Sequence, residues 1–144
     1  VFMPPIDDPF HTASICVKAI PDDVKIRLVD VHAEATSEKY AMGWFLDGKV
    51  SAVYGSHTHV QTADERILTE GTAYITDVGM TGSYAGCIGM EKEHVINRFT
   101  KVPAKRADHA KGDVWICAIV LDIDEETGKA RSIERLRIEL GNQN

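Results

Sequence analysis

At 144 residues and 15.9 kDa the chain has the size of one ordinary domain, large enough to bury a core. A formal net charge of −6, a pI near 5.5 and no basic run longer than Lys105-Arg106 argue against a broad nucleic-acid backbone footprint, although a metal centre can supply the positive charge that a nucleotide or a short RNA end would need. No stretch approaches the roughly 18–20 apolar residues of a membrane span, and Cys16, Cys87 and Cys117 are widely spaced with no Cys-x-x-Cys pair, so a soluble protein of a reducing cytoplasm is expected.

The chain opens on Val1-Phe2-Met3-Pro4-Pro5, an apolar pair and a proline-rich turn without an initiator methionine, which reads as a piece cut from a longer protein. Residues 12–20 read as a short helix ending near Pro21-Asp22-Asp23. Residues 26–31 read as a buried strand, with His32 just past its end, where the working residues of α/β sheets gather. Thr36 or Ser37 can cap the next helix, whose Tyr40, Ala41, Trp44 and Phe45 fall at helical spacing and which Asp47-Gly48 closes. Residues 50–54 form the following strand, and a right-handed crossover places it parallel to the first. A strand over 72–76 runs into the glycine-rich loop Asp77-Val78-Gly79-Met80-Thr81-Gly82, which should lie near the same sheet edge and can line a pocket. Residues 91–99 are predicted helical and 101–111 a polar connection. Residues 114–122 and 132–140 alternate as paired strands across a turn at 124–129, which gives a mixed α/β domain with a C-terminal antiparallel hairpin.

The chemistry centres on Gly55-Ser56-His57-Thr58-His59. Two histidines at i and i+2 leaving a strand can aim both imidazoles into one cleft, and two imidazoles packed together without a metal must be hydrated, hydrogen-bonded or partly neutral. His32, His57 and His59 are therefore the candidate ligands, of a kind that zinc, iron or manganese accepts, with Asp30 and Glu34 placed to orient His32. A two-metal phosphoester site holds its ions roughly 3.5–4 Å apart and needs a bridging carboxylate, and none is obvious here. Asp77 is the best-placed acid, but a turn residue bonding the backbone before Gly79 is an equally good reading of it. No catalytic residue is assigned. Gln61, Thr62 and Arg66 could touch a phosphate or a base but fit a solvated loop better, and His11, His94 and His109 read as surface residues. Asp122, Asp124, Glu125 and Glu126 miss the EF-hand spacing and read as a hairpin tip. Cys117 reads as a small core residue and Cys87 as exposed in a loop.

Three segments, residues 29–39, Gly55-Ser56-His57-Thr58-His59-Val60-Gln61-Thr62-Ala63-Asp64 and residues 71–82, together resemble the bacterial 2′,3′-cyclic-nucleotide 2′-phosphodiesterase branch of the calcineurin-like metallophosphoesterases. The likeness runs from Phe2-Met3-Pro4-Pro5 to the final hairpin. It implies an α/β/β/α sandwich with a dinuclear site, of iron or manganese or else zinc, that hydrolyses phosphodiesters such as cyclic nucleotides. It further implies that His32 and His57 hold one metal and His59 the other. The first half of that family, with its N-terminal aspartate, Gly-Glu-Asn and Gly-Asn-His motifs, is absent from these 144 residues. The resemblance places the bridging carboxylate, the asparagine ligand and the histidine that protonates the leaving group in those segments. The chain is thus expected to be the C-terminal half of such an enzyme, inactive alone, with the missing N-terminal half, a second copy of itself and a small phosphodiester or nucleotide as its partners. The alternative is a metal-binding or interaction module without catalysis. A purely structural domain would require the three histidines to lie far apart.

Overall fold

The computed structural model describes residues 7–101, 103 and 108–141. The proline-rich opening at Pro4-Pro5 and part of the polar connection at 101–111 lie outside them. In chain order the elements are α1 (Pro9–Ala19), β1 (Leu28–His32), α2 (Thr36–Leu46), β2 (Ala52–Ser56), β3 (Arg66–Ile67), β4 (Ala73–Ile75), β5 (Gly82–Ser83), α3 (Lys92–Thr100), β6 (Val114–Ile123) and β7 (Ala130–Leu140).

Helix α1 begins three residues before the predicted start. The Asp8 carboxylate accepts the Phe10 N–H at 2.8 Å, its carbonyl accepts the Thr12 N–H, and Pro9 occupies the first turn, where its missing N–H costs nothing. Helix α2 corrects the predicted cap: Ala35 is its N-cap, neither Thr36 nor Ser37 caps it, and no side chain closes that end. Asp47 ends it as expected, and its carboxylate accepts from Thr69 Oγ1 at 2.9 Å and from the Glu70 N–H at 3.0 Å, fastening the helix end to the loop before β4.

One sheet has the order β1-β2-β4-β3. β1 and β2 are parallel, as the crossover rule required, with Leu28 paired to Ala52 and His32 to Ser56; β4 is parallel to β2, and β3, two residues long, adds an antiparallel edge. The parallel strands therefore deliver His32, His57 and Asp77 to one end of the sheet. The alternation of side chains divides the core. Val53 and Tyr74 face α1 and α2 in a cluster with Met42, Leu46, Val50 and Leu68, while Ala52 and Ala73 face Ala130, Leu121, Ile123 and Ile133 of the second sheet. Small alanines on that face let the second sheet, β5-β6-β7, pack closely. Tyr74 is buried with its hydroxyl 3.1 Å from Thr76 Oγ1, and burial pushes its pKa up to about 12.

β6 and β7 pair antiparallel from Val114–Leu140 to Ile123–Ala130, a slightly longer hairpin than predicted, with a bulge beside Asp122. The acidic residues at its tip do turn work. Asp124 accepts the Glu126 and Thr127 N–H groups at 2.9 Å and Arg131 at 2.7 Å, which holds its pKa at about 2, chiefly through Thr127. The helix–sheet–sheet layering supplies three layers of the expected sandwich. Helix α3 buries no residue and contributes none to either core cluster, and Val120, Ile138 and Leu140 of the second sheet are exposed. No described helix is long and apolar enough to cross a membrane. Cys117 is a core residue as read; Cys87 is half-buried rather than exposed, in a tight bridge with Met90.

Candidate metal centre

Because β1 and β2 are parallel neighbours in register, His32 and Ser56 project on the same face at the same end. Ser56 Oγ lies 3.0 Å from Asp30 Oδ1 and 3.1 Å from His32 Nδ1. A hydroxyl has one proton, and the Asp30 carboxylate can only accept, so Ser56 donates to Asp30 and His32 Nδ1–H donates to Ser56. This fixes the tautomer and leaves the lone pair on His32 Nε2. The orienting role predicted for Asp30 is thus exerted through Ser56, while Glu34 is exposed.

His32 Nε2 lies 3.2 Å from His57 Nδ1, with the two rings edge to face at 74° and 5.0 Å between centroids. Two imidazole nitrogens bound to one ion at roughly 2.1 Å each lie roughly 3.0–3.4 Å apart for bond angles from about 90° to tetrahedral. The observed separation falls in that range, and both rings are exposed, so a shared ion fits this pair.

His59 stands apart from them. Its Nδ1 donates to the Ile88 carbonyl at 3.3 Å, which again leaves Nε2 as the free lone pair. Among the described residues no group of three or more His, Cys, Asp or Glu side chains lies together to hold one ion. The three predicted ligands are therefore a convergent pair and a single histidine two residues on. His57 and His59 both have positive φ, 116° and 63°, a region that non-glycine residues enter only under constraint.

The constraint comes from Lys39, which sequence reasoning missed, and from Asp77. Lys39 of α2 is buried and donates to the Ser56 carbonyl at 3.1 Å and to Asp77 Oδ2 at 3.1 Å. Asp77 Oδ2 also accepts the Thr58 N–H at 2.9 Å, and its Oδ1 accepts the Gly79 N–H at 2.9 Å. The turn reading of Asp77 is therefore correct. Gln61 and Thr62 are not in a solvated loop. Gln61 Nε2 donates to the Ala118 and Leu136 carbonyls of the second sheet, and Thr62 Oγ1 bonds Asp64 at 2.6 Å. Arg66 lies over the Trp44 ring. Beside the loop, Tyr84 donates its hydroxyl to the His59 carbonyl at 3.4 Å, and Arg137 covers both Tyr84 and Trp115. His11 and His109 are exposed and His94 half-buried, and His109 pairs with Met90 in a β-bridge. Two cavities, of about 330 and 540 Å³, are lined by residues such as Lys25, Arg27, Lys49 and Lys129 and by none of the three candidate histidines; they sit at the opposite end of the strands.

Burial alone would raise the carboxyls of Asp64 and Asp77. Hydrogen bonds outweigh it, from Thr62 and Thr76 on Asp64 and from Thr58, Gly79 and Lys39 on Asp77, and both pKa values fall below the ordinary 3.8. A group depressed in the folded state contributes stability that is complete above its unfolded pKa and is lost as pH falls through the folded value. The melting temperature is thus expected to be level above about pH 5 and to fall below about pH 4. Replacing Asp64 by Asn should flatten that fall in thermal melts between pH 7 and 2, and an unchanged slope would refute the assignment.

The sequence pattern of the YmdB-like protein family matches residues 1–136. The chain is 53% identical over 138 residues to the 2′,3′-cyclic-nucleotide 2′-phosphodiesterase of Bacillus subtilis (strain 168), covering 95% of this chain and 52% of that protein. The crystal structure of a hypothetical protein from Thermus thermophilus superimposes with a TM-score of 0.86 at 43% identity, covering 96% of this chain and 53% of that one. That of a novel phosphatase from Mycoplasma pneumoniae does so with a TM-score of 0.85 at 33% identity, covering 96% and 50%. The chain thus spans about half the length of the curated relatives it matches. With its family pattern matched over 1–136 and its fold shared at this identity, the chain belongs to the YmdB-like protein family.

Proposed function

We propose that this chain supplies the histidine half of the active site of a metal-dependent phosphodiesterase, acting on a cyclic nucleotide or a related phosphodiester. The carrying observation is the 3.2 Å approach of His32 Nε2 to His57 Nδ1, with the His32 tautomer set by Ser56 and Asp30. His32 and His57 would hold one ion and His59 Nε2 a second, the remaining ligands coming from the other half of such a protein. The donor set suits iron or zinc through imidazole, and manganese once oxygen ligands join it. When bound, the ions supply Lewis acidity to the phosphoryl group and lower the pKa of water. The residues of this chain hold the imidazoles and fix the protons of His32 and His59 on Nδ1, while His57 would bind through Nδ1 with its proton on Nε2. Similarity to the 2′,3′-cyclic-nucleotide 2′-phosphodiesterase of Bacillus subtilis supports the substrate class.

The β1 edge supports a partner segment. Val24, Ile26 and Leu28 are 41%, 44% and 51% exposed beside a parallel strand that has a neighbour on one side only, and such strands are ordinarily covered. The isolated chain is proposed to associate there with the remaining half or with a second copy, and to be inactive alone; a cytoplasmic site of action fits the free cysteines.

The test is metal analysis of the full-length protein together with turnover of bis(p-nitrophenyl) phosphate and 2′,3′-cyclic AMP. Chelation should abolish turnover and added Mn²⁺ restore it, while the 144-residue chain alone should hydrolyse neither substrate until mixed with a separately made first half. Turnover that survives complete metal removal would end the proposal.

A further inference from the structure

Resting on the metal-site reading above, we propose that Lys39 and Asp77 are positioning residues, a buried ion pair that grips the backbone on both sides of His57 and so aims its imidazole at His32. Their side chains are 1% and 0% exposed and 3.1 Å apart. Lys39 holds the Ser56 carbonyl, the residue before His57, and Asp77 holds the Thr58 N–H, the residue after it. One pair of charges thus ties together helix α2, the end of β2 and the end of β4, and it does so at the residue whose φ is 116°. Burying two charges repays its desolvation poorly, and an apolar pair of similar volume is ordinarily as stable or more so, so stability alone does not explain the pair. The backbone makes room for it. A Cβ at Gly55 would stand 2.6 Å from Lys39 Cδ, so the lysine stem crosses the strand where there is no side chain, two residues before His57. Ser56 is the last residue of β2 and Thr58 lies two residues beyond it, and the pair gives the carbonyl of the one and the N–H of the other a fixed partner.

The test compares the full-length protein with its Lys39→Met, Asp77→Asn and Lys39→Met/Asp77→Asn variants, reading cooperative melting, Mn²⁺ affinity, kcat and KM. The double variant, which leaves no charge unpaired, should melt cooperatively, lose about 10–100-fold in Mn²⁺ affinity, as is typical when the partners behind metal ligands are removed, and lose kcat with little change in KM. A cooperatively folded double variant with unaltered Mn²⁺ affinity and kcat would overturn the inference. If no variant folds, hydrogen exchange on the unsubstituted protein decides. The Thr58 amide should exchange as slowly as the amides of β2, and fast local exchange there would overturn the inference. His57→Ala is the control. Lost Mn²⁺ affinity in His57→Ala beside an unaffected double variant refutes the clamp alone, whereas an unaffected His57→Ala refutes the metal site and the clamp with it.

Discussion

Replacing His57 by alanine in the full-length protein should lower phosphodiester turnover by roughly 100-fold or more, since even the partners behind a metal ligand are worth about 10–100-fold. The fold should survive, because the His57 ring is exposed and touches no core residue beyond the His32 edge. The expected pattern is a circular dichroism spectrum and melt like those of the unsubstituted protein beside a collapsed kcat and a lost equivalent of metal. His59→Ala should match it in turnover but release the other ion, because His59 lies apart from the His32–His57 pair. His11→Ala, on the exposed face of α1, should leave both quantities unchanged. Turnover retained in metal-replete His57→Ala and His59→Ala would show that the histidines are not ligands.

The second large effect is on stability. Gly55 has no room for a methyl group: a Cβ there would lie 1.8 Å from the Thr76 carbonyl oxygen and 2.6 Å from Lys39 Cδ. The first contact is backbone one residue past β4, so relief requires the ends of β2 and β4 to separate, breaking the bond from the Val78 N–H to the Gly55 carbonyl at 2.9 Å and moving Asp77 off Thr58. Gly55→Ala should therefore cost more than about 4 kcal/mol, which places it among the exceptional single substitutions and consumes much of a typical domain's stability. Urea unfolding is the measurement. A loss under about 1 kcal/mol would mean that the strands yield far more easily than their packing suggests.

The parts of the fold that can be read from the sequence are those whose determinants are local. The alternation in β6 and β7, the turn residues between them, and the apolar runs of β1 and β2 each carry their own signal, and the crossover rule then fixes which sheet end receives His32 and His57. β3 and β5 are two residues each and exist only because a neighbouring strand offers its edge, so no periodicity announces them. The cap of α2 is misread from sequence because Thr36 and Ser37 are both able to cap, while the chain enters the helix from β1 with Ala35 in the capping position. Of the candidate site, the sequence marks the histidines and only half of what holds them. Lys39 looks like one more solvated helix charge in Ser37-Glu38-Lys39-Tyr40, and its partner is 38 residues away. The available signal is the glycine of Gly55-Ser56-His57-Thr58-His59, which marks a close approach without saying what approaches. Gln61 hides in the same way, since its two carbonyl partners lie 57 and 75 residues along the chain.

The backbone angles of His57 and His59 bear on how this loop answers to selection. Each residue sits where glycine would be at ease and an imidazole-bearing residue is strained by about 1–3 kcal/mol. Under pressure for thermal robustness alone, positions 57 and 59 would drift to glycine, and the drifted protein would be tougher and would lack two of the three proposed ligands. On the metal-site proposal, the same sites are where laboratory evolution for heat tolerance, run without an activity screen, would remove the proposed ligands first. A designer hardening this domain should begin at the far hairpin and leave the strained pair alone.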